Sequence, residues 1–226
     1  LIFLQLEVDD QVVKKLDDVL VLGFMNQDQN VYNEIKIRDL TNFVKDVMKK
    51  KFDQEVYYYY FKEVFQLDDD YKMKELSTGM KVKYFLSLEL AKSPDLLVLD
   101  EPTSGLDPIV RDEVLDILRC VAKEKNTSVL FSSHITEDIE KIADRVIFIN
   151  NGRIVLQGDK KEIKKKYVKL NQQQYVILVN AGMAKECVSI HDYYIVDRDL
   201  AMTCNVEVKE ALLSDILSYM RKRRED

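Results

Sequence analysis

The chain has 226 residues, 46% of them hydrophobic, so it is long enough to bury a full core and has the composition of a globular protein. It contains no apolar run near the roughly 18 residues that a membrane-spanning helix needs, and its net charge of -6 argues against a nucleic-acid-binding protein. The three cysteines are odd in number and far apart, which favours free thiols in a reducing compartment, and we expect a cytoplasmic protein.

Predicted strands and helices alternate along the chain, which favours an α/β architecture with a largely parallel central sheet. Early strands are predicted at 1–8 and 19–24. Apolar residues at helical spacing then predict a mainly helical block from 31 to about 90.

The middle of the chain contains two further predicted strands. The apolar run 96–99 is typical of a strand that is buried on both faces, and a crossover helix is predicted after it. The next strand, 128–131, leads into Ser132-Ser133-His134, and open α/β sheets keep their chemistry at such strand ends. Asn151-Gly152 then predicts a hairpin with a type I′ turn.

Beyond residue 157 the pattern changes to a small strand-and-helix appendage. A lysine-rich segment at 160–166 precedes apolar runs at 175–179 and 194–196, which we interpret as strands. Apolar residues at helical spacing predict a final helix at 212–220.

A Ser-Thr-Gly sequence stands directly before a predicted amphipathic helix. Ser77 and Gly79 would place a hydroxyl and backbone N–H groups at the N-terminus of this helix. The helix dipole favours anions there, so the segment outlines a phosphate site.

Four polar side chains at predicted strand ends are candidates for metal and water chemistry. Asp100 closes one strand and is placed to hold Mg²⁺, while Glu101, one residue on, is placed to polarise an attacking water. His134 ends the next strand, from which an imidazole can reach a γ-phosphate. Gln27 follows an early strand, where a carboxamide can offer an oxygen to a metal ion or a hydrogen to water.

Each of these features has a more ordinary explanation when it is taken alone. A Ser-Thr-Gly sequence before a helix is usually an N-cap, Asp-Glu-Pro is often a turn, and a lone histidine is more often structural. Their joint order favours the functional interpretation, because four segments follow one another with compact spacing: the Ser-x-Gly loop, the apolar strand with Asp-Glu, the TSGLDP turn at 103–108 and the SSH strand end.

In this order the chain resembles the ATP-binding subunit of an ABC transporter, from its first strands to about residue 165. The matching segments are Gln27 for the Q-loop glutamine, LSTGM at 76–80 for the signature, LLVLDEP at 96–102 for Walker B, SGLD at 104–107 for the D-loop and His134 for the switch histidine. Thr78 and Met80 depart from the common pattern, which has Gly and Gln. The Met variant is similar to subunits that serve ABC-2-type export permeases.

The resemblance implies a RecA-like P-loop NTPase core, truncated at its N-terminus, with a helical subdomain and a small C-terminal α/β appendage. The core would comprise 1–30 and 91–167, and the helical subdomain, which ends in the signature motif, would comprise 31–90. The appendage would comprise 168–226.

The resemblance also implies an ATPase that uses ATP and Mg²⁺ and works as a head-to-tail pair, either a homodimer or a heterodimer. It implies that Gln27 and Asp100 bind Mg²⁺, that Glu101 activates water and that His134 contacts the γ-phosphate. Ser77, Thr78 and Gly79 would contact the γ-phosphate of the partner's nucleotide. Asp107 would provide communication between the two sites.

An integral membrane permease is the other implied partner, which would place the protein on the inner face of the cell membrane. The aromatic segment 55–65 is a candidate lining for the permease contact, or it packs the helical block's own core. The lysines of 160–166 would contact anionic headgroups, or they form a solvated helix face.

A phosphate loop of the form G-x-x-x-x-G-K-[ST] does not occur in these 226 residues. Its absence is compatible with a truncated gene product, a fragment, or an N-terminal piece missing from this chain. We expect the chain by itself to be inactive and the full-length subunit to hydrolyse ATP. The alternative is a non-hydrolysing or degenerate ABC-type regulatory subunit, and the transported substrate is not encoded in this chain.

Overall fold

The computed structural model describes residues 2–5, 21–26, 33–124 and 127–223. The chain divides into two compact units: a core unit, Leu4–His134, and a C-terminal unit formed by Leu1–Phe3 and Ile135–Asp226. The division falls after His134, and the predicted domain boundaries stay a prediction. Within the described ranges, no helix has both the length and the apolar character needed to cross a bilayer.

Parallel strands form the part of the core unit that carries the candidate chemistry. The described strands up to His134 are β1 (Ile2–Gln5), β2 (Leu22–Met25), β3 (Leu96–Asp100) and β4 (Ser128–Ser133). β3 lies between β2 and β4, parallel to both, and its register places Asp100 beside Ser132. The predicted strands at 96–99 and 128–131 are therefore confirmed. The carboxyl ends of parallel strands share one edge, so residues after β3 and β4 come close to each other.

Two helices cover one face of these strands. α3 (Thr78–Leu90) packs against β2, and α4 (Pro108–Glu124) packs against β4. The side chains beneath them are all buried: Leu97, Leu99, Val129 and Phe131. Burial of an apolar side chain of this size contributes about 1.5–3 kcal/mol, so this layer holds the strand ends in place.

The helical block before α3 is built from short pieces. They are α1 (Ile37–Met48), a 3-10 turn (Lys49–Lys51), α2 (Gln54–Tyr58), a π-helical turn (Tyr59–Val64) and a second 3-10 turn (Met73–Glu75). This confirms the predicted helical character for the described part of 31–90. The π turn closes with a hydrogen bond from the Phe65 N–H to the Tyr60 carbonyl at 2.8 Å.

The four consecutive tyrosines divide between the core and the surface. Tyr57 and Tyr60 are buried, and the Tyr57 ring stacks on Phe61 at 5.1 Å between centroids. Tyr58 and Tyr59 are exposed. The core-packing alternative is therefore correct for two of the four rings, and the other two remain on the surface.

The C-terminal unit begins with a helix and a hairpin. Its first elements are α5 (Thr136–Ile142), β5 (Arg145–Asn150), β6 (Arg153–Asp159) and α6 (Lys160–Lys166). β5 and β6 are antiparallel, and φ is 49° at Asn151 and 73° at Gly152. Positive φ at both turn residues is what a type I′ turn requires, which confirms this prediction.

The lysines of α6 make contacts within the C-terminal unit. Lys160 donates from Nζ to the carbonyl of Glu140 at 2.6 Å, and burial lowers the pKa of its ammonium group. Lys164 pairs with the Glu140 carboxylate, and Lys165 pairs with Glu162. These contacts account for much of the lysine run without a membrane surface.

The rest of the C-terminal unit is an antiparallel sheet with helices packed on it. The sheet has the order β10-β7-β9-β8, formed by β7 (Tyr167–Leu170), β8 (Val188–Ile190), β9 (Tyr193–Asp197) and β10 (Lys209–Glu210). The helices are α7 (Gln172–Asn180), α8 (Arg198–Thr203) and α9 (Leu213–Lys222). Val168, Leu178 and Val196 lie in the core between them. The predicted last helix is confirmed.

The prediction of a strand at 175–179 is wrong, because this run lies within α7. The helix starts with a reciprocal cap, in which Asn171 accepts from the Gln174 N–H at 2.9 Å and Gln174 accepts from the Asn171 N–H at 2.7 Å. Such a capping box satisfies helix-end N–H groups. This local contact outweighs the strand preference of the β-branched residues that follow.

Candidate functional site

The ends of β3 and β4 bring an acidic pair and a histidine together. Asp100 ends β3, Glu101 follows it, and His134 directly follows β4. One carboxylate oxygen of Glu101 lies 2.7 Å from Nδ1 of His134. The structure therefore places these predicted site residues at one sheet edge, and their catalytic roles stay predictions.

Glu101 and His134 differ strongly in exposure. The Glu101 side chain is 9% exposed, whereas the His134 side chain is 66% exposed. Because an ionised carboxylate only accepts hydrogen bonds, this contact requires the hydrogen on Nδ1 and leaves Nε2 as the second functional nitrogen. The pair thus combines a sheltered carboxylate with an imidazole that a ligand can reach.

The backbone at Glu101 is in the left-handed region, with φ of 49°. This conformation costs a non-glycine residue about 1–2 kcal/mol, and such outliers cluster at functional sites. A turn stabilises it here, since the Ser104 N–H donates to the Glu101 carbonyl at 3.1 Å. The turn directs the chain away from the sheet immediately after the acidic pair.

Ser132 connects the two acidic residues, and our sequence interpretation did not include it among the site residues. Its hydroxyl donates to Oδ1 of Asp100 at 2.6 Å and accepts from the Glu101 N–H at 2.9 Å. The signal in the sequence is that two serines, Ser132 and Ser133, follow the apolar residues of the strand. Without the register of β3 and β4, that signal does not identify the partners.

Ser77 is the N-cap of α3. Its Oγ accepts from the Met80 N–H at 3.1 Å, and both Ser77 and Thr78 are exposed. The ordinary explanation of the Ser-Thr-Gly sequence as an N-cap is thus correct for Ser77. An exposed N-terminus of a 13-residue helix remains compatible with an anion site.

Gly79 does not precede the helix, as our interpretation placed it, but lies in the first turn of α3. A Cβ atom built there would lie 2.8 Å from Cγ1 of Val110 in α4. The glycine therefore allows close packing of two helices, a reason that only the tertiary structure reveals.

Asp107 caps the neighbouring helix. Its Oδ1 accepts from the N–H groups of Ile109 and Val110, both at 3.1 Å, at the start of α4. Since Val110 also contacts Gly79, the D-loop-like turn and the signature-like segment meet within the core unit. Gln27 lies outside the described residues, and its role stays a prediction.

The sheet edge at Asp100 and Glu101 has carboxylate oxygens that suit a hydrated magnesium ion as ligands. Ser132 occupies Oδ1 of Asp100, which leaves Oδ2 of the same carboxylate for a metal or its water. Mg²⁺ is usually bound by one or two carboxylates together with phosphate oxygens, so a single free carboxylate oxygen fits it. Asp68, Asp69 and Asp70 also cluster, but Arg38 pairs with two of them.

Comparison with known proteins supports one family. A family model described as "AAA domain, putative AbiEii toxin, Type IV TA system" matches residues 5–137. The ABC transporter ATP-binding protein YtrB of Bacillus subtilis (strain 168) is 31% identical over 152 residues, which cover 67% of this chain and 52% of that protein. Energy-coupling factor transporter ATP-binding protein EcfA2 of Clostridium perfringens (strain 13 / Type A) is 44% identical over 91 residues, which cover 40% and 32%. The chain thus spans about half the length of these relatives, or less.

Solved structures share the fold. An ATP-binding subunit of an ABC transporter superposes with a TM-score of 0.52 at 18% identity, covering 82% of this chain and 68% of that chain. A dimeric ATP-binding cassette in a post-hydrolysis state, bound to ADP and Pi, superposes with a TM-score of 0.53 at 18% identity, covering 68% of each chain.

Proposed function

Because the chain belongs to the AAA-domain family and is of the ABC transporter ATP-binding type, we propose a function for it in transport. It is part of a subunit that hydrolyses ATP to drive transport. The family and the RecA-like fold agree with the resemblance predicted from the motifs. The observation that carries the proposal is the contact of Glu101 with His134 beside Asp100.

The geometry supports a distinct role for each residue at the sheet edge. Mg²⁺, held through the free oxygen of Asp100 and by Gln27, would offset phosphate charge. Glu101 is sheltered and adjacent, which suits a base that accepts a proton from water. His134 donates to the Glu101 carboxylate through Nδ1, and its exposed Nε2 would donate to a phosphate oxygen when the ring carries a hydrogen on both nitrogens.

A second subunit would complete each site in a head-to-tail pair. Ser77 and Thr78 are exposed at the N-terminus of α3, and Gly79 lies one residue further on. Backbone N–H groups there favour an anion, so this end of α3 would contact the γ-phosphate held by the partner. Asp107 would communicate between the two sites, because Val110 of the helix that it caps touches Gly79.

The helical block supplies a surface for an integral membrane permease. Phe43 and Val47, one turn apart on α1, are exposed, as are Tyr58 and Tyr59. Exposed apolar and aromatic side chains are enriched in protein interfaces. Met80 favours an ABC-2-type exporter, and such a partner would keep the protein at the inner face of the cell membrane.

The phosphate loop is the part that these 226 residues lack. The chain alone is therefore expected to bind ATP weakly and not to hydrolyse it. The same observation favours a second candidate, a non-hydrolysing or degenerate regulatory subunit that offers its signature segment to a competent partner.

Calorimetric titration with a non-hydrolysable ATP analogue and Mg²⁺ tests the proposal. The titration compares this chain with the full-length subunit that its gene encodes, called the extended version below, and Asp100→Asn serves as the control in both. Tight binding by the extended version, weakened by Asp100→Asn, supports the transporter ATPase. No binding by either version supports the regulatory subunit instead.

A further inference from the structure

Ser132 is a buried polar residue at the centre of the candidate site. It lies in β4 directly beside Asp100 in the register of β3, and only 2% of its surface is exposed. A serine at such a buried strand position costs free energy unless its hydroxyl is fully hydrogen-bonded.

The hydroxyl of Ser132 makes one hydrogen bond to each acidic residue. It donates to Oδ1 of Asp100 at 2.6 Å, and it accepts from the backbone N–H of Glu101 at 2.9 Å. Its donor and one of its acceptor positions are used, so the group is satisfied. The short distance to Asp100 is typical of a hydrogen bond to a charged acceptor.

The two bonds fix different degrees of freedom. The bond to Asp100 fixes the rotation of its carboxylate, and thus the direction of the free Oδ2. The bond to the Glu101 N–H supports a backbone that has φ of 49°, from which the Glu101 side chain reaches His134. An apolar residue at position 132 would remove both bonds at once.

We propose that Ser132 is a positioning residue that sets the metal-binding oxygen of Asp100 and the water-activating carboxylate of Glu101 in one fixed relation. The inference rests on the proposed function, because it assigns Ser132 a task in ATP hydrolysis. Ser132 acts through Asp100 and Glu101, and the hydroxyl, not the volume of the side chain, is what matters.

The first test uses the 226-residue chain without nucleotide. Amide hydrogen exchange at Glu101 is measured by NMR for the wild type, Ser132→Ala and Ser132→Thr. We expect exchange to become about 5-fold faster in the alanine variant, since the bond contributes on the order of 1 kcal/mol, and to stay near the wild-type rate in the threonine variant. Ser87→Ala is the matched control, because Ser87 is also buried and its hydroxyl donates to the Lys83 carbonyl within α3, away from the acidic pair.

The second test measures ATP hydrolysis by the extended version. Ser132→Ala should lower kcat about 10-fold or more and raise the Mg²⁺ concentration needed for half activity, with KM for ATP little changed. Ser132→Thr should restore both values, whereas a merely structural role would not separate kcat from KM. If the alanine variant does not fold, Ser132→Cys replaces it, since a thiol of similar size is a weak donor and acceptor.

The inference would be overturned if Ser132→Ala and Ser87→Ala changed the exchange rate at Glu101 and kcat to the same extent. It would also be overturned if Ser132→Thr folded but restored neither the exchange rate nor kcat. An extended wild type without ATPase activity would refute the proposed function, and unchanged exchange at Glu101 would separately refute the hydrogen-bond network.

Discussion

Gly79 in the first turn of α3 lies directly against Val110 in the first turn of α4, so closely that a Cβ atom on the glycine would be 2.8 Å from Cγ1 of the valine. One turn further on, Lys83 pairs with Glu113 at 2.5 Å between the same two helices. The segment that resembles the signature and the helix that follows the D-loop-like turn are thus joined at two successive levels.

Substitution of Gly79 by alanine should lower the free energy of unfolding by about 1–3 kcal/mol, because the methyl group overlaps Val110. Urea denaturation measures this difference. In the double variant Gly79→Ala/Val110→Ala the loss should be smaller than the sum of the two single losses, since the second change removes the overlapping atoms.

Gly105→Ala is the matched control for Gly79→Ala. No atom of the described residues lies within 4 Å of a Cβ position on Gly105, but its φ of 72° strains any other residue. Its loss of stability should therefore be unaffected by Val110→Ala. Strict additivity of Gly79→Ala with Val110→Ala would show that the two helices do not pack as described.

Replacement of Glu101 by glutamine should strongly slow hydrolysis and leave nucleotide binding intact. Glutamine keeps the size of the side chain but is not a base, and loss of general-base catalysis costs about 100-fold to 10,000-fold in rate. ATPase assays and analogue titration of the extended version measure the two effects. Glu63→Gln, an exposed change in the helical block, should alter neither. Hydrolysis by Glu101→Gln at close to the wild-type rate would show that another residue is the base.

The strand ends that carry the chemistry were predictable because the sequence marks them locally. An apolar run closed by Asp100-Glu101-Pro102, and another closed by two serines and His134, show where β3 and β4 end. Parallel pairing then places Asp100 and His134 at the same edge. The type I′ turn at Asn151-Gly152 was predictable for the same reason, since its conformation depends on two adjacent residues.

The features that the sequence analysis missed depend on contacts between distant residues. Gly79 meets Val110 across 31 positions, and Ser132 lies as far from Glu101, so neither relation appears in any local pattern. The run 175–179 has residues that favour a strand, but the Asn171 cap before it favours the helix that forms. Local signals thus located the strand ends, but not the residues that hold them in position.

Glu89 links the end of α3 to the strand that leads towards Gln27. Its Oε2 accepts from the Phe24 N–H at 2.9 Å, and its carboxylate also pairs with Lys92 at 2.6 Å while only 12% exposed. Glu89→Ala should cost about 1–3 kcal/mol in the free energy of unfolding, because the Phe24 N–H and the Lys92 ammonium lose their partner. Hydrogen exchange at Phe24 should become faster.

The control for Glu89 is an ion pair without such a link. Glu162 pairs with Lys165 at 2.8 Å, but both side chains are about 70% exposed. An exposed pair contributes about 0–1 kcal/mol, so Glu162→Ala should change stability little and leave exchange at Phe24 unaltered. Equal losses for Glu89→Ala and Glu162→Ala would mean that the contact of Glu89 with β2 contributes nothing.

Cys187 should react slowly with iodoacetamide in the folded protein. Burial, with smaller contributions from Glu186 and Cys204, raises the pKa of its thiol from 9.0 to about 11. The thiolate is the reactive form, so at pH 8 its fraction, and with it the alkylation rate, should be about 100-fold lower than for the same cysteine in denaturant. Mass spectrometry of the Cys187 peptide measures both rates. Because the pKa is higher in the folded state, the difference between the folded and denatured alkylation rates should shrink only as the pH rises through 9 towards 11. Similar rates at pH 8 would contradict the burial of this thiol in the C-terminal unit.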